Sequence, residues 1–443
     1  MIAAELSSVG GRCARPYANQ APEVFRTGLR GGKNAGVYNW PVHILISAGE
    51  ASGDMYGAQL IEALRGAVEL HSAVATGTGA SAPTRASKME FFGAGGERMR
   101  AAGCEIVVDA KDLAVVGITE VLSRLPKILG LYRKLIRAAD TKHPALAVVI
   151  DAPAFNWRVA RQMRKRGISV VYYVCPQFWA WRQGRVKLLR KYINKALVIF
   201  PFEEKFYRDR GVDATFIGHP LADLPAPAMS REAYAGENGI DAARTWITLM
   251  PGSRRKEVGM NLPTIIEAAE GLGNGYEFLL PVARTLDTSY IEELVAAATQ
   301  GRKPASQRRN IHLVPEALPA LYHSRAGIVA SGTATVEAAL MGTPFVMVYR
   351  VSALTYAMGK PRVKVPYFAM VNLIAGEEVV PELVQQKFTV ENIVAEMNKI
   401  IADGEPRTRM IERLGAVKAR LQGSGGGAHP AETAAGIILK MVG

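Results

Sequence analysis

Four short stretches of the chain bring together the small, hydroxylated and charged residues that chemistry needs. They are Gly49-Glu50-Ala51-Ser52-Gly53-Asp54, Asp151-Ala152-Pro153, Pro251-Gly252-Ser253-Arg254-Arg255-Lys256-Glu257, and Ser331-Gly332-Thr333-Ala334-Thr335-Val336-Glu337. In the first, glycines let backbone amides approach a ligand and a following helix N-terminus favours an anion. An ordinary turn with Ser52 or Asp54 as the helix cap is the alternative. Asp151 follows an apolar run directly. A carboxylate there suits a general base toward a nearby hydroxyl, and equally suits a turn or cap beside Pro153. In the third stretch, Gly252 and Ser253 followed by Arg254 suit a diphosphate, held by amides and a guanidinium fork; a solvated basic turn competes. In the fourth, Ser331, Gly332 and Thr333 form a turn that opens a helix, with Glu337 in its first turns. Glu337 could accept from the hydroxyls of a ligand; a capped helix with a dipole-favoured acid is the plainer reading.

Other chemistries lack their patterns. There is no Walker loop and no dinucleotide fingerprint, since Gly93-Ala94-Gly95-Gly96 lacks the later glycine. The seven histidines are scattered, and Cys13, Cys104 and Cys175 have no metal-ligand spacing, so no metal site is expected. Phe178-Trp179-Ala180-Trp181-Arg182 places two indoles together, for stacking on a sugar, for a lipid interface or for core packing.

These stretches need elements to position them. Val42–Ser47, Met89–Gly93, Leu146–Ile150, Ile168–Val174 and Ala196–Phe200 read as buried strands, with helices at Ala58–Arg65 and Val159–Lys165 between them. The stretch Gly95–Gly103 reads as a turn and short helix, and 72–87 as a loop. After a Pro-containing link at 220–238 the alternation restarts. Its strands are Trp246–Met250, Glu277–Leu280, Ile311–Val314, Gly327–Ala330 and Pro344–Val348, and Ala431–Val442 reads as a closing amphipathic helix. Such alternation predicts an α/β fold of two doubly wound Rossmann-like domains, whose ligands bind at the carboxyl ends of the strands. The boundaries expected are a disordered extension at 1–40, domains at 41–222 and 223–427, and a helix at 428–443 returning to the first domain.

At 443 residues the chain is too long for one ordinary core. No stretch approaches the ~20 apolar residues that cross a bilayer. The absence of a signal peptide and an odd cysteine count point to the cytoplasm. A net charge of +14 calls for an acidic partner: nucleic acid, anionic lipid or a phosphorylated substrate. Residues 161–195 carry ten Lys/Arg and no Asp/Glu, yet no nucleic-acid motif accompanies them, so no nucleic acid is expected. In 113–138, Val121, Leu122, Leu125, Ile128 and Leu129 recur at helical spacing beside Arg124, Lys127, Arg133, Lys134 and Arg137. They are the candidate membrane-facing residues of an interfacial helix. A helix packed on the sheet is the alternative, and Pro126 is expected to split or kink it.

Taken in order, several motifs resemble the lipid-A-disaccharide synthase family. They are Ala48–Asp54, Ile150–Asn156, Pro176–Arg182, Phe216–Pro220, Leu249–Arg254, Ala330–Ala334 and Asn372-Leu373-Ile374-Ala375-Gly376, within residues 42–440. Phe178 stands where an aliphatic residue is commoner, and 1–40 lies outside the family core. The resemblance implies a GT-B type glycosyltransferase with its site in the cleft between domains. It implies transfer of 2,3-diacylglucosamine from UDP to the 6-hydroxyl of 2,3-diacylglucosamine 1-phosphate, with a β-1,6 link and UDP released. The first domain would take the acceptor, through Gly49, Glu50, Ser52, Gly53 and Asp54 with Asp151 as base. The second would take the UDP-sugar, with Asn372 added to the residues above. UDP-sugar is then a substrate and no cofactor is required. The partners implied are UDP-diacylglucosamine, the lipid monosaccharide phosphate and an anionic membrane surface at the inner face of the inner membrane. A homo-oligomer is compatible with all of this. Another UDP-GlcNAc transferase or epimerase of the same architecture is the rival reading.

Overall fold

The computed structural model describes residues 41–77, 89–113, 118–181, 183–222, 225–283, 285–299, 310–359, 363, 365–422 and 429–442. The expected extension at 1–40 and most of the expected loop at 72–87 lie outside the described residues.

Two all-parallel sheets organise the chain. The first has seven strands: β1 (Val42–Ala48), β2 (Met89–Gly95), β3 (Cys104–Asp109), β4 (Leu146–Ile150), β5 (Ser169–Tyr173), β6 (Lys195–Val198) and β7 (Ala214–Phe216), in the order β3-β2-β1-β4-β5-β6-β7. The second has six: β8 (Thr245–Met250), β9 (Tyr276–Pro281), β10 (Ile311–Val314), β11 (Ala326–Ala330), β12 (Phe345–Tyr349) and β13 (Glu382–Val384), in the order β10-β9-β8-β11-β12-β13. Central strands are largely apolar because helices cover both faces of a parallel sheet. β4 shows the consequence. Ala147 and Val149 point to one cluster, with Leu45, Val170 and Tyr172; Leu146, Val148 and Ile150 point to the other, with Ile44, Ile46 and Tyr173.

The second of these clusters continues across both sheets. It includes Ile44 and Tyr56 from the first lobe, Leu249 and Ile328 from the second, and Ala434, Ala435 and Ile438 from the last helix. That helix, Pro430–Val442, packs along helix Ala51–Gly77 of the first lobe. The lobes also meet where the His219 amide donates to the Leu421 carbonyl at 2.8 Å.

Of the split or kink expected at Pro126, the split does not occur: helix Ile118–Lys142 is one element. Leu135, Ile136 and Ala139 pack it on the first sheet, while Ile128 and Leu129 are half-buried. The side chains of Val121, Leu122 and Leu125 lie outside the described residues. Arg133, Lys134 and Arg137 are exposed, and Lys127 pairs with Asp112 at 2.6 Å. Among the described residues, no helix is long and apolar enough to cross a membrane.

Candidate active site

In each sheet the strand order reverses once, and each reversal brings two of the four stretches together. β1 lies beside β4 with Ala48 opposite Ile150, and β8 lies beside β11 with Met250 opposite Val329. The loops at 49–54 and 151–152 are therefore neighbours, as are those at 251–254 and 331–333. Crevices at such switch points are where open α/β sheets bind ligands.

In the first lobe the two loops touch. A β-carbon on Gly49 would stand 2.7 Å from that of Ala152, so only glycine allows this approach. Asp151 and Ala152 both adopt left-handed φ of 45°, a conformation that costs non-glycine residues about 1–3 kcal/mol each. A polar staple holds it. Asn156 is fully buried; its Nδ2 donates to the carbonyls of Ser47 (3.0 Å), Ile150 (2.8 Å) and Asp151 (2.8 Å), and its Oδ1 accepts from Ser47 Oγ at 2.7 Å. The Tyr172 hydroxyl adds a bond to the Asp151 carbonyl at 2.8 Å.

Asp151 is raised to about 6, first by burial and then by the charge of Glu50, against the Ala152 amide. It is thus ionised at neutral pH yet more basic than a solvated carboxylate, which is what a general base requires. Glu50 and Ser52 are exposed beside it and Gly53 is buried. Two carboxylates make this corner anionic, which suits a sugar hydroxyl better than the phosphate considered for the loop. Asp54 is buried and engaged by backbone amides. Its carboxylate accepts from the amides of Gly96 (2.6 Å), Arg98 (3.1 Å) and Met99 (3.1 Å), at the start of helix Glu97–Ala101. It caps that helix.

In the second lobe Gly252 has φ 124° and lies against Glu257; a β-carbon there would come within 2.4 Å of the Glu257 carboxyl carbon. Glu257 is raised by burial, against the amides of Ser253 and Arg254 and the Arg254 charge. Glu257 thus lies close beneath this loop. Arg254 is exposed. Buried Asn261 donates to the Pro251 carbonyl at 2.9 Å, supporting this loop as Asn156 supports the other.

Across the crevice, Ser331 donates its hydroxyl to the Phe368 carbonyl at 2.9 Å. Gly332 has φ 143° and precedes helix Thr333–Leu340, whose first N–H groups have no intrahelical partner. Glu337 on that helix is half-buried and is raised by burial. Tyr56, on the helix that follows β1, is raised to about 12 by burial, then by Asp151 and then by Glu337. One phenol thus lies within electrostatic reach of a carboxylate from each lobe.

Asn372 is held as firmly by the backbone around it. It is fully buried; its Nδ2 donates to the Val380 carbonyl and Glu382 Oε1, both at 2.9 Å, and its Oδ1 accepts from the amides of Val379 (2.8 Å) and Val380 (3.0 Å). With every donor and acceptor engaged, it holds a chain reversal and has nothing left for a nucleotide. Phe178 and Trp179 are buried, and the Trp179 indole donates to buried Glu203 at 2.8 Å, so they serve packing. The Trp181 side chain and Arg182 lie outside the described residues. Sequence reasoning did not single out Ser47, Tyr56, Asn156 or Tyr172. The signal for Asn156 was present: a polar residue on the buried face of the helix after β4.

Solved structures of low identity share the fold. The glycotransferase of kitacinnamycin superposes with TM-score 0.57 at 16% identity, over 91% of this chain and 100% of that one. UDP-GlcNAc 2-epimerase from Neisseria meningitidis superposes with TM-score 0.58 at 11% identity, over 90% of this chain and 100% of that one. The fold is thus of the GT-B type, and at these identities it does not choose between transferase and epimerase. Sequence does. The model of the family described as lipid-A-disaccharide synthetase matches residues 44–424. The lipid-A-disaccharide synthase of Koribacter versatilis (strain Ellin345) is 49% identical over 398 residues, 90% of this chain and 98% of that relative. Match and crevice cover the same strand-end loops, and on that ground the chain belongs to the lipid-A-disaccharide synthase family of UDP-sugar glycosyltransferases.

Proposed function

We propose that the two crevices together transfer 2,3-diacylglucosamine from UDP to the 6-hydroxyl of 2,3-diacylglucosamine 1-phosphate, with inversion and without a covalent intermediate. The observation that carries this reading is Asp151: half-buried, raised to about 6, and set at the first lobe's switch point. Asp151 takes the hydroxyl proton as the acceptor oxygen bonds to the anomeric carbon and the bond from that carbon to the diphosphate oxygen breaks. Arg254 and the N-terminus of helix Thr333–Leu340, with Ser331, Gly332 and Thr333, meet the charge that grows on the departing diphosphate. Glu337 accepts from the ribose hydroxyls. Glu50 and the Gly49–Gly53 turn bound the acceptor.

The positive charge comes from protein groups, so no metal or cofactor is needed. The acylated substrates lie in a bilayer, and the exposed Arg133, Lys134 and Arg137 bring the first lobe to an anionic membrane face as a peripheral protein. The test is UDP release from UDP-2,3-diacylglucosamine. Release that requires the acceptor 1-phosphate and persists in excess EDTA is expected. Release indifferent to the acceptor, or UDP-GlcNAc epimerisation instead, would defeat the assignment.

A further inference from the structure

We propose that Asn156, with Ser47 and Tyr172 beside it, is a positioning residue for the reaction: it fixes the backbone of Asp151 so that the carboxylate faces the acceptor hydroxyl. The proposal rests on Asp151 being the base.

The bonds converge on one backbone segment. Asn156 Nδ2 reaches the carbonyls at the ends of both β1 and β4, those of Ser47, Ile150 and Asp151, while Ser47 Oγ closes the circuit on Asn156 Oδ1. The Tyr172 hydroxyl reaches the Asp151 carbonyl from β5. Three adjacent strands therefore bear on the peptide following Asp151. The Asp151 amide is also held, donating to the Tyr173 carbonyl at 3.2 Å.

This amount of bonding exceeds what ending a strand needs. The helix Pro153–Lys165 has proline at its first position and no side-chain cap bond, so Asn156 does not serve as its cap. The bonds act on the two residues whose left-handed φ turns the chain sharply after β4. Relaxation of Asp151 to the ordinary extended region would swing its side chain off the crevice. Loss of the staple should therefore disturb the direction and burial of the carboxylate rather than the fold of the sheet. Glu50, Tyr56, Tyr172 and Cys175 face Asp151 electrostatically from the neighbouring elements, so its titration reports that burial.

The experiment compares Asn156→Ala, Tyr172→Phe and Asp151→Asn in the full chain. It reads kcat, KM for both substrates, the pH profile of kcat/KM, UDP affinity by calorimetry and thermal melting. Asn156→Ala should lower kcat about 10- to 100-fold and leave UDP affinity unchanged. It should also move the acid limb of the profile from near 6 toward the ordinary carboxylate range as water reaches Asp151. Tyr172→Phe removes one oxygen and keeps the ring, so it folds even where Asn156→Ala does not. It should lower kcat about 3- to 10-fold with the same direction of limb shift. If Tyr172→Phe and a folded Asn156→Ala keep wild-type kcat and limb while Asp151→Asn is inactive, the positioning role is wrong and the base stands. If Asp151→Asn itself turns over normally, the base reading fails and takes this proposal with it.

Discussion

Asp151 carries two costs that a structural residue would avoid. Its φ of 45° is unfavourable for a non-glycine residue, and its carboxylate is half-buried near Glu50. The sign of the second cost follows from linkage. The folded-state value of about 6 lies above the ordinary 3.8. The protonated form is favoured by folding, and this contribution is fully present below 3.8 and lost as pH rises through about 6. At pH 8 the ionised carboxylate therefore destabilises the fold by about 3 kcal/mol at most. Asp151→Asn removes the charge, and asparagine tolerates positive φ well. It should melt a few degrees higher than wild type at pH 8, with a smaller gain at pH 5, while turnover falls about 10²- to 10⁴-fold. A variant that is inactive because it is unfolded would show the opposite melting shift.

Elements decide what the remaining polar residues do. Asn372 holds the turn after helix Met370–Ala375 through four hydrogen bonds. Asn372→Ala should cost about 2–4 kcal/mol, since it strands the buried amides of Val379 and Val380. UDP affinity per folded molecule should stay within about twofold, as calorimetry below the melting range will show. Helix Ile118–Lys142 divides its work along its length. Leu135 and Ile136 belong to the core, and Leu135→Ser should destabilise by about 2–5 kcal/mol. Ile128 and Leu129 are only half-buried. Serine at both should weaken co-sedimentation with anionic vesicles and preserve melting. High salt should remove only part of the wild-type binding, because screening leaves the apolar contribution. Wild-type protein that ignores such vesicles at low salt would end the membrane reading.

At the scale of the molecule, the two lobes share one apolar cluster. The chain crosses between them at His219 and Leu421, and the last helix returns to pack on the first lobe. Gly218 sits at that crossing with φ 89°, where a β-carbon would come within 3.1 Å of the Gln422 carbonyl. If nucleotide binding belongs to the second lobe and proton transfer to the first, variants separate by lobe. Arg254→Ala and Glu337→Ala should weaken UDP binding about 10-fold or more, and Asp151→Asn should leave it unchanged. Equal UDP loss in all three would contradict the division.

Much was legible before any fold was known. Central parallel strands announce themselves as apolar runs, and the loops after them hold the reactive residues, so both lobes and the four stretches could be read in order. The strands that escaped, Cys104–Asp109, Ala214–Phe216 and Glu382–Val384, are edge strands. With one neighbour instead of two, they carry short or partly polar runs. Family membership was also carried by local motifs. What local spacing could not tell was where each polar side chain points. Asp54 meets its partner 42 residues away, and Ser47 meets Asn156 across 109. Such partners exist only once the sheet has closed. Tertiary structure therefore decided that Asp151 lies at the crevice, while Asp54 and Asn372, equally prominent in their motifs, hold the backbone.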